Sequence, residues 1–242
     1  IDDGLISAKI KLGETYEKYN DYDKAMEIYE ETLIQSENNG DKKNTSISTR
    51  KIGVIYFSRD REYEKALDYF KRSLELSMLI DDKSLISKAL NNIGATYGIQ
   101  NNEDKEIEYY TRALQISEEI GDKYNIAFIT ANIGNVYFKE NIAKDDSEIA
   151  LDYYERSLKI YEELGNKTGI SAILINIGNA YVKKDDDIAL DYYERVFAID
   201  EELGDKSGMG VCLANIGHIY YKKDELDRAL GYYERSLKIY EE

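Results

Sequence analysis

The chain has 242 residues, of which 43% are hydrophobic, and a formal net charge of −16 at pH 7. This hydrophobic content argues against intrinsic disorder, and the acidic balance argues against general nucleic-acid binding, which needs a basic surface. A single Cys excludes an internal disulfide and a Cys-based zinc site, and no apolar run approaches the roughly 20 residues of a membrane span.

A short phrase recurs along the chain and predicts a helix at each copy. It has a Gly that follows Leu or Ile and precedes Tyr by three residues, as in ANIGNVYF around Gly134. Because Leu/Ile and Tyr four residues apart lie on one helix face, each copy predicts an amphipathic helix. The recurring residues are Gly13, Gly53, Gly94, Gly134, Gly178 and Gly217.

A second phrase follows each first one and predicts a second helix. In it an Ala precedes Tyr or Phe by four residues, and a small residue comes three positions later, as in Ala150, Tyr154 and Ser157. The third copy departs with Glu106 in place of Ala, and the fifth has Val196 at the last small position. A Gly inside a helix costs roughly 0.5–1 kcal/mol relative to Ala. Its recurrence therefore predicts a close approach of paired helices, with the aromatic ring of the second helix beside the Gly.

Polar turns separate the predicted helices. A Gly at the end of a second helix suits a left-handed conformation, and the Asp or Asn after it suits the N-cap of the next helix. The turn inside the fourth copy, over residues 139–148, is longer than the others. The helix-ending residues are Gly40, Gly121, Gly165 and Gly204.

These two phrases resemble the tetratricopeptide repeat (TPR) family over essentially the whole chain. The period of about 40 residues, without the early Trp and closing Pro of the common form, is similar to the long repeats of Pins-type adaptors, kinesin light chains and bacterial signalling proteins. The resemblance implies an all-α, right-handed superhelix of six helix-turn-helix repeats in one array over residues 1–242. The repeats are expected at residues 4–40, 41–81, 82–121, 122–165, 166–204 and 205–242. Because the chain begins with Ile and neither end has a capping pattern, we expect a piece of a longer protein.

In this family the first helices line a concave groove, so the resemblance implies which residues face a ligand. Positions 6, 3 and 2 before each Gly, and 1, 4 and 5 after it, hold many Asn residues. An Asn amide has a donor and an acceptor, which suit the C=O and N–H of an extended peptide. The alternative is that these Asn residues bridge neighbouring helices. The predicted peptide-binding residues are Asn92, Asn132, Asn135, Asn176, Asn179, Asn215, His218, Lys88, Lys139, Lys183 and Lys222.

The same positions predict a basic groove in an acidic protein. Eight basic residues against Glu14 and Glu17 give these positions a net charge of +6. A groove of this charge favours an acidic peptide or a free C-terminal carboxylate as the ligand. Expected apolar contacts come from Phe57, Phe128, Phe138, Val182 and Tyr221. The basic residues are Lys11, Lys18, Arg50, Lys51, Lys88, Lys139, Lys183 and Lys222.

No catalytic, metal or cofactor motif is present in the sequence. His218 is the single histidine, which removes most nucleophilic triads and metal clusters. Cys212 has apolar neighbours and is predicted to be buried and inert. Asp185, Asp186 and Asp187 lack the spacing of a calcium loop and are predicted to be turn and N-cap residues.

We therefore predict a non-enzymatic scaffold that binds a protein or peptide partner, with no cofactor, no nucleic acid and no membrane insertion, in the cytoplasm. One alternative is a sensory or regulatory domain of a bacterial signalling protein, such as a histidine kinase, cyclase or transcription regulator. Another is a structural module that associates with itself, for example as a homodimer.

Overall fold

The computed structural model describes residues 3–139 and 146–241. Within these residues the chain forms twelve α-helices, and a π-helical turn over Tyr56–Asp60 extends the third. The helices are α1 (Asp3–Lys18), α2 (Tyr22–Asn38), α3 (Lys42–Ile55), α4 (Tyr63–Leu79), α5 (Lys83–Ile99), α6 (Glu103–Glu119), α7 (Lys123–Phe138), α8 (Asp146–Glu163), α9 (Lys167–Tyr181), α10 (Asp186–Leu203), α11 (Lys206–Lys222) and α12 (Leu226–Glu241).

Odd-numbered helices carry the first phrase and even-numbered helices carry the second. The two helices of each hairpin pack against each other, and within each unit successive hairpins also pack, which gives six helix-turn-helix hairpins and confirms the predicted all-α repeat fold. The chain divides into two compact units, unit 1 over Ile1–Asn125 and unit 2 over Ile126–Glu242. Unit 1 holds α1 to α6, and unit 2 holds α8 to α12 together with most of α7. Most of the long fourth turn lies outside the described residues.

The recurring Gly is the point where the two helices of a hairpin touch, as predicted. A Cβ added to Gly178 would lie 2.8 Å from Cε1 of Tyr193, and one added to Gly134 would lie 2.7 Å from Cε1 of Tyr154. Both Tyr rings are fully buried. The Gly therefore lets the first helix approach the ring of the second more closely than any side chain would permit.

Paired tyrosines lie at the side of the second to sixth hairpins. The Tyr three residues after the Gly lies against a Tyr of the paired helix, with ring centroids 5.7 Å apart for Tyr137 and Tyr153 and 5.8 Å apart for Tyr181 and Tyr192. Such offset pairs add about 0.5–1.5 kcal/mol beyond their burial. Part of the chain's complement of 23 Tyr residues is explained by this repeated pair.

The predicted helix ends are confirmed. Gly165 and Gly204 have φ of 62° and 70°, and Gly40 and Gly121 share this left-handed conformation. The side chain of Asn166 accepts a hydrogen bond from the Gly169 N–H, and that of Asp185 accepts from the Ile188 N–H. Asp185 is therefore an N-cap, as predicted.

In the second to sixth hairpins a buried hydroxyl makes a hydrogen bond between the two helices. In the second hairpin the Ser46 hydroxyl lies 2.9 Å from that of Ser73 and 2.7 Å from that of Ser77. In the fourth hairpin the Ser157 hydroxyl donates to the carbonyl oxygen of Ala127 at 2.8 Å. These hydroxyls are buried, so their mutual hydrogen bonds remove the cost of burying them.

Cys212 is buried and free, and burial together with the nearby Asp200 raises its pKa to about 12. An inert thiol was predicted, and the raised pKa agrees, because a thiolate is the reactive form. None of the described helices is long and apolar enough to cross a membrane.

Candidate peptide-binding surface

The first helices of unit 2 bring most of the predicted Asn residues onto one surface. Each of these helices has a polar residue two positions before the Gly and another one position after it, and residues three apart share a helix face. We call this set the amide surface. It comprises Asn132, Asn135, Asn176, Asn179, Asn215 and His218 on α7, α9 and α11.

Two members of the amide surface are bonded across successive hairpins. The Nδ2 of Asn176 donates to the Oδ1 of Asn135 at 3.1 Å. Asn135 follows its Gly by one position and Asn176 precedes its Gly by two, so the bond links α7 to α9. This pair does bridge neighbouring helices, which was the alternative to peptide binding. The bond leaves the Asn176 Oδ1 and one of its N–H groups for another partner.

Buried tyrosines hold the two Asn residues that follow a Gly. The Tyr154 hydroxyl donates to Asn135 Oδ1 at 2.8 Å, and the Tyr193 hydroxyl donates to Asn179 Oδ1 at 2.6 Å. Burial raises the pKa of both phenols well above the ordinary value, so they remain neutral donors. Both Asn oxygens therefore point toward the protein, and their amide nitrogens are the groups left for a ligand.

This geometry refines the expectation that each Asn would present both a donor and an acceptor. Asn135 Oδ1 already accepts two hydrogen bonds, which is the capacity of a carbonyl oxygen, whereas Asn179 Oδ1 accepts one. At these two positions the surface offers donors. A donor surface suits peptide carbonyl oxygens and carboxylates.

A cavity of about 270 Å³ lies at the α9–α11 end of the amide surface. It brings together four of the predicted site residues, with Lys183 and His218 exposed and Asn179 and Asn215 half-buried. The predicted apolar residues Phe138 and Val182 also line it. The complete lining is Phe138, Asn179, Val182, Lys183, Tyr193, Asn215 and His218.

Of the predicted lysines in unit 2, Lys183 and Lys222 differ in how they are held. Among the residues described, Lys183 has no acidic partner within 4.0 Å, whereas Lys222 Nζ lies 3.0 Å from Asp186 Oδ1 and donates to the Val182 carbonyl at 2.9 Å. Lys222 therefore contributes less free charge than the sequence suggested. Asn132 and Lys139 are half-buried, and each interacts with a partner of its own.

In the first two hairpins of unit 1 charged residues occupy three of the four equivalent positions. Lys51 stands two residues before its Gly, where unit 2 has Asn, and its Nζ lies 3.0 Å from Glu14 and 2.9 Å from Glu17. The net charge of +6 that the sequence predicted for the groove thus includes lysine and glutamate charges that neutralise one another at close range. Lys11 and Lys18 line the same open cavity with Glu14, Glu17 and Lys51.

The remaining predicted residues of unit 1 lie on α5. Lys88 is half-buried, and Asn92 is half-buried with its Nδ2 enclosed and without a hydrogen-bond partner among the described residues. Asn91 is buried. Because Val54 and Ala95 stand at the positions after Gly53 and Gly94, α3 and α5 lack the Asn that follows the Gly in α7 and α9.

The Tyr hydroxyls of the amide surface were missed by sequence reasoning, which treated the aromatic as a ring alone. The signal was available in part. In repeats with a polar residue directly after the Gly, the aromatic residue of the second helix is Tyr. In the second repeat, where Val54 follows the Gly, that aromatic residue is Phe70. The third repeat is an exception, because it has Tyr110 in the second helix although the apolar Ala95 follows its Gly.

Other predicted contacts lie elsewhere on the surface. Phe128 and Tyr221 are exposed, and Phe57 packs edge-on against Tyr63 with ring centroids 5.5 Å apart. Within the described parts of the chain, no three His, Cys, Asp or Glu side chains are grouped so that they could hold a metal ion.

Solved structures with the same fold cover almost the whole chain. BtubC (BKLC) from P. vanneervenii aligns with a TM-score of 0.69 at 19% identity, covering 98% of this chain and 88% of that one. The Rap conjugation gene regulator of plasmid pLS20, solved in complex with the Phr* peptide, aligns with a TM-score of 0.73 at 15% identity. The alignment covers 98% of this chain and 74% of that one. A STAND protein with a tetratricopeptide repeat sensor from Pyrococcus horikoshii aligns with a TM-score of 0.77 at 20% identity. The alignment covers 97% of this chain and 35% of that one.

The sequence has no significant match among curated proteins. The tetratricopeptide repeat profile, in contrast, matches in overlapping segments from one end of the chain to the other, at residues 4–78, 44–119, 85–163, 128–202 and 169–242. The matched segments, the six hairpins and the Gly–aromatic contacts describe the same repeat. The chain belongs to the tetratricopeptide repeat family.

Proposed function

We propose that the amide surface of unit 2 captures an extended peptide segment of a partner protein. The observation that carries this proposal is the arrangement of Asn135 and Asn179, whose oxygens are held by buried Tyr hydroxyls while their amide nitrogens are left for a ligand. Donors fixed before binding lose little rotamer entropy when a ligand arrives. They are therefore suited to a repeated acceptor such as the carbonyl oxygens of a peptide backbone.

The cavity beside Asn179 adds charge to these donors. Lys183 and His218 are exposed there, and Lys183 has no acidic partner among the described residues. A side-chain carboxylate or a free C-terminus would complete this site, because a carboxylate accepts hydrogen bonds from both an ammonium and an amide. We therefore propose an acidic segment, or a C-terminal one, as the ligand.

Peptide binding is also the kind of activity that a relative displays. The Rap regulator of pLS20 was solved with a peptide bound. At 15% identity this likeness concerns the fold, so it supports peptides as a class of ligand and leaves the sequence of the peptide open.

A display library of random decapeptides with free C-termini tests the proposal. Peptides selected on the wild-type chain are labelled and titrated against the double variant Asn135→Ala/Asn179→Ala by fluorescence anisotropy. Each lost amide hydrogen bond is worth about 0.5–1.5 kcal/mol, so the double variant should bind roughly tenfold or more weakly. Asn38→Ala, an exposed Asn at the end of α2, is the matched control and should bind as the wild type does.

Circular dichroism of each variant checks that the helices persist. A library that yields no binder to the wild type would contradict the proposal. Equal binding by the folded double variant would exclude these two amides as the recognition groups.

A further inference from the structure

The cavity at the α9–α11 end of the amide surface is lined by two kinds of side chain, and we call it the α9–α11 cavity. Polar groups come from Asn179, Lys183, Asn215 and His218, and apolar surface comes from Phe138, Val182 and the ring of Tyr193. None of the described residues that line the cavity is acidic. A ligand group that fills it should therefore offer both a hydrogen-bond acceptor and an apolar surface.

The polar part of the lining is arranged to receive a carboxylate. The Tyr193 hydroxyl donates to Asn179 Oδ1 at 2.6 Å, so the amide nitrogen of Asn179 is the group left for a ligand. Lys183 is exposed and has no acidic partner among the described residues. A carboxylate has two acceptor oxygens, so it can accept from the Lys183 ammonium and from the Asn179 amide together.

The apolar part of the lining is held in place but is not covered. Phe138 and Val182 are half-buried, and each packs against an apolar cluster of unit 2, which fixes its position. The buried ring of Tyr193 lies beside them in the lining. Covering the remaining apolar surface removes it from water, which is favourable in proportion to the area covered. An apolar side chain of the ligand would provide this cover.

The geometry of an extended peptide limits how both groups can reach one cavity. Successive side chains of an extended chain point to opposite faces, and side chains on one face come from residues roughly 6–7 Å apart. A C-terminal residue, in contrast, carries its carboxylate and its side chain on the same Cα atom. The cavity of about 270 Å³ is smaller than the roughly 300–1,000 Å³ of pockets that enclose a drug-sized ligand, so its size suits one residue.

We propose that the α9–α11 cavity binds the C-terminal residue of the partner peptide, and that this residue is apolar, such as Leu, Ile, Val or Phe. Its carboxylate contacts Lys183 and the Asn179 amide, and its side chain contacts Phe138 and Val182. The inference rests on the proposed function and decides between the two ligands named there, because an internal Asp or Glu brings a carboxylate without an apolar side chain. The preceding residues extend from the cavity along the amide surface toward Asn135.

Three matched synthetic peptides test this proposal. A decapeptide selected on the wild type from the library with free C-termini is prepared as the free acid, as the C-terminal amide, and as the free acid with its last residue replaced by Ser. Amidation removes the charge of the carboxylate and Ser removes the apolar side chain, so each change should weaken binding roughly tenfold or more in anisotropy titrations. The last residue of independently selected peptides should be apolar.

Two variants of the protein assign these losses to the cavity. In Lys183→Gln the difference in affinity between the free acid and the amide should narrow severalfold. Val182→Ala should bind the unmodified peptide severalfold more weakly and should bind the Ser form as the wild type does. Val54→Ala is the matched control, since it makes the same change at a half-buried position of unit 1, and it should bind all three peptides as the wild type does. Circular dichroism confirms that each variant is folded.

The possible outcomes separate this inference from the proposed function. Equal affinity for the free acid and the amide, or for the apolar and Ser forms, would overturn the inference. So would an undiminished effect of amidation in Lys183→Gln, or unchanged binding by Val182→Ala, because the C-terminal residue would then lie elsewhere. The proposed function would survive each of these results if Asn135→Ala/Asn179→Ala still lost binding, and it would fail if that double variant bound as the wild type does.

Discussion

The Nδ2 of Asn176 donates to the Oδ1 of Asn135 at 3.1 Å and so joins two successive hairpins. The equivalent positions in unit 1 hold Lys51 and Glu14, with Nζ and the carboxylate 3.0 Å apart. One pair of repeat positions thus makes a polar contact between hairpins in both units, through amides in one and ions in the other. The residues proposed to bind a peptide therefore also connect adjacent repeats.

Replacing Tyr193 with Phe tests whether the buried hydroxyl holds the Asn179 amide. The variant loses the 2.6 Å hydrogen bond to Asn179 Oδ1, so the free energy of unfolding should fall by about 0.5–1.5 kcal/mol. Affinity for a selected peptide should fall severalfold, because the amide of Asn179 is then free to rotate. Urea denaturation and anisotropy titration measure the two effects.

Tyr110→Phe is the control for this change. Tyr110 packs against Gly94 in the same manner, but Ala95 stands where the bonded Asn would be. Its peptide affinity should match that of the wild type. Unchanged affinity in Tyr193→Phe as well would show that the hydroxyl has no part in presenting the amide.

Gly178→Ala tests the close approach of paired helices. The new Cβ would lie 2.8 Å from Cε1 of the fully buried Tyr193, so this overpacking should destabilise the protein by about 1–3 kcal/mol. Gly231→Ala is the matched control, because a Cβ there meets nothing within 4 Å, and it should stabilise by about 0.5–1 kcal/mol. Thermal melts of the two variants should therefore shift in opposite directions, and equal shifts would contradict the packing account.

Asp200 predicts a dependence of stability on pH. Its side chain is 1% exposed, Ser171 donates to its Oδ1 at 2.6 Å, and its Oδ2 has no partner among the described residues. Burial, together with the charge of Asp205, raises the pKa of Asp200, and the Ser171 hydrogen bond opposes this only in part. The nearby Cys212 stays neutral, since its own pKa is raised to about 12.

A carboxyl whose folded pKa is raised favours the folded state at low pH, and this contribution is lost as pH rises above the ordinary value of 3.8. Asp200→Ser places there the residue found at the equivalent Ser77 and Ser117. The variant should exceed the wild type in stability by about 1–3 kcal/mol at neutral pH, and this advantage should shrink toward acid pH. Urea denaturation across the pH range measures it, and a constant difference would contradict the raised pKa.

Lys183 and Lys222 should differ in their effect on peptide affinity. Lys183→Gln removes an exposed charge from the cavity, so the binding free energy of an acidic peptide should weaken by about 0.2–1 kcal/mol. Added salt should abolish this effect, because it screens exposed charges. Lys222→Gln should change affinity little, because Asp186 already pairs with that lysine. Titrations at low and high ionic strength separate the two, and equal losses would show that the ion pair opens on binding.

The fold could be predicted because its determinants are local and repeated. The spacing of Gly134 from Tyr137, or of Ala150 from Tyr154, specifies a helix face over one turn, and six copies reinforce the pattern. Gly165 and Asn166 mark a helix end and the next N-cap through their own backbone preferences. These features need no knowledge of distant parts of the chain.

The chemistry of the site was less predictable because it depends on side-chain orientation between distant segments. The Tyr193 hydroxyl reaches Asn179 over 14 residues, and Lys222 reaches Asp186 over 36. Residue spacing places such groups on a face without showing which hydrogen bonds they make. For the same reason Asp200, which precedes a turn, gave no sequence signal that it would be buried.

A charge-matched pair of variants tests the central claim most directly. Asn179→Asp keeps an oxygen for the Tyr193 hydroxyl but replaces the outward amide donor with an acceptor, and Asn38→Asp adds the same charge at an exposed position of unit 1. In anisotropy titrations with the selected peptide, Asn179→Asp should bind about tenfold or more weakly and Asn38→Asp should bind as the wild type does. Equal affinity of both variants and the wild type would contradict recognition through the Asn179 amide.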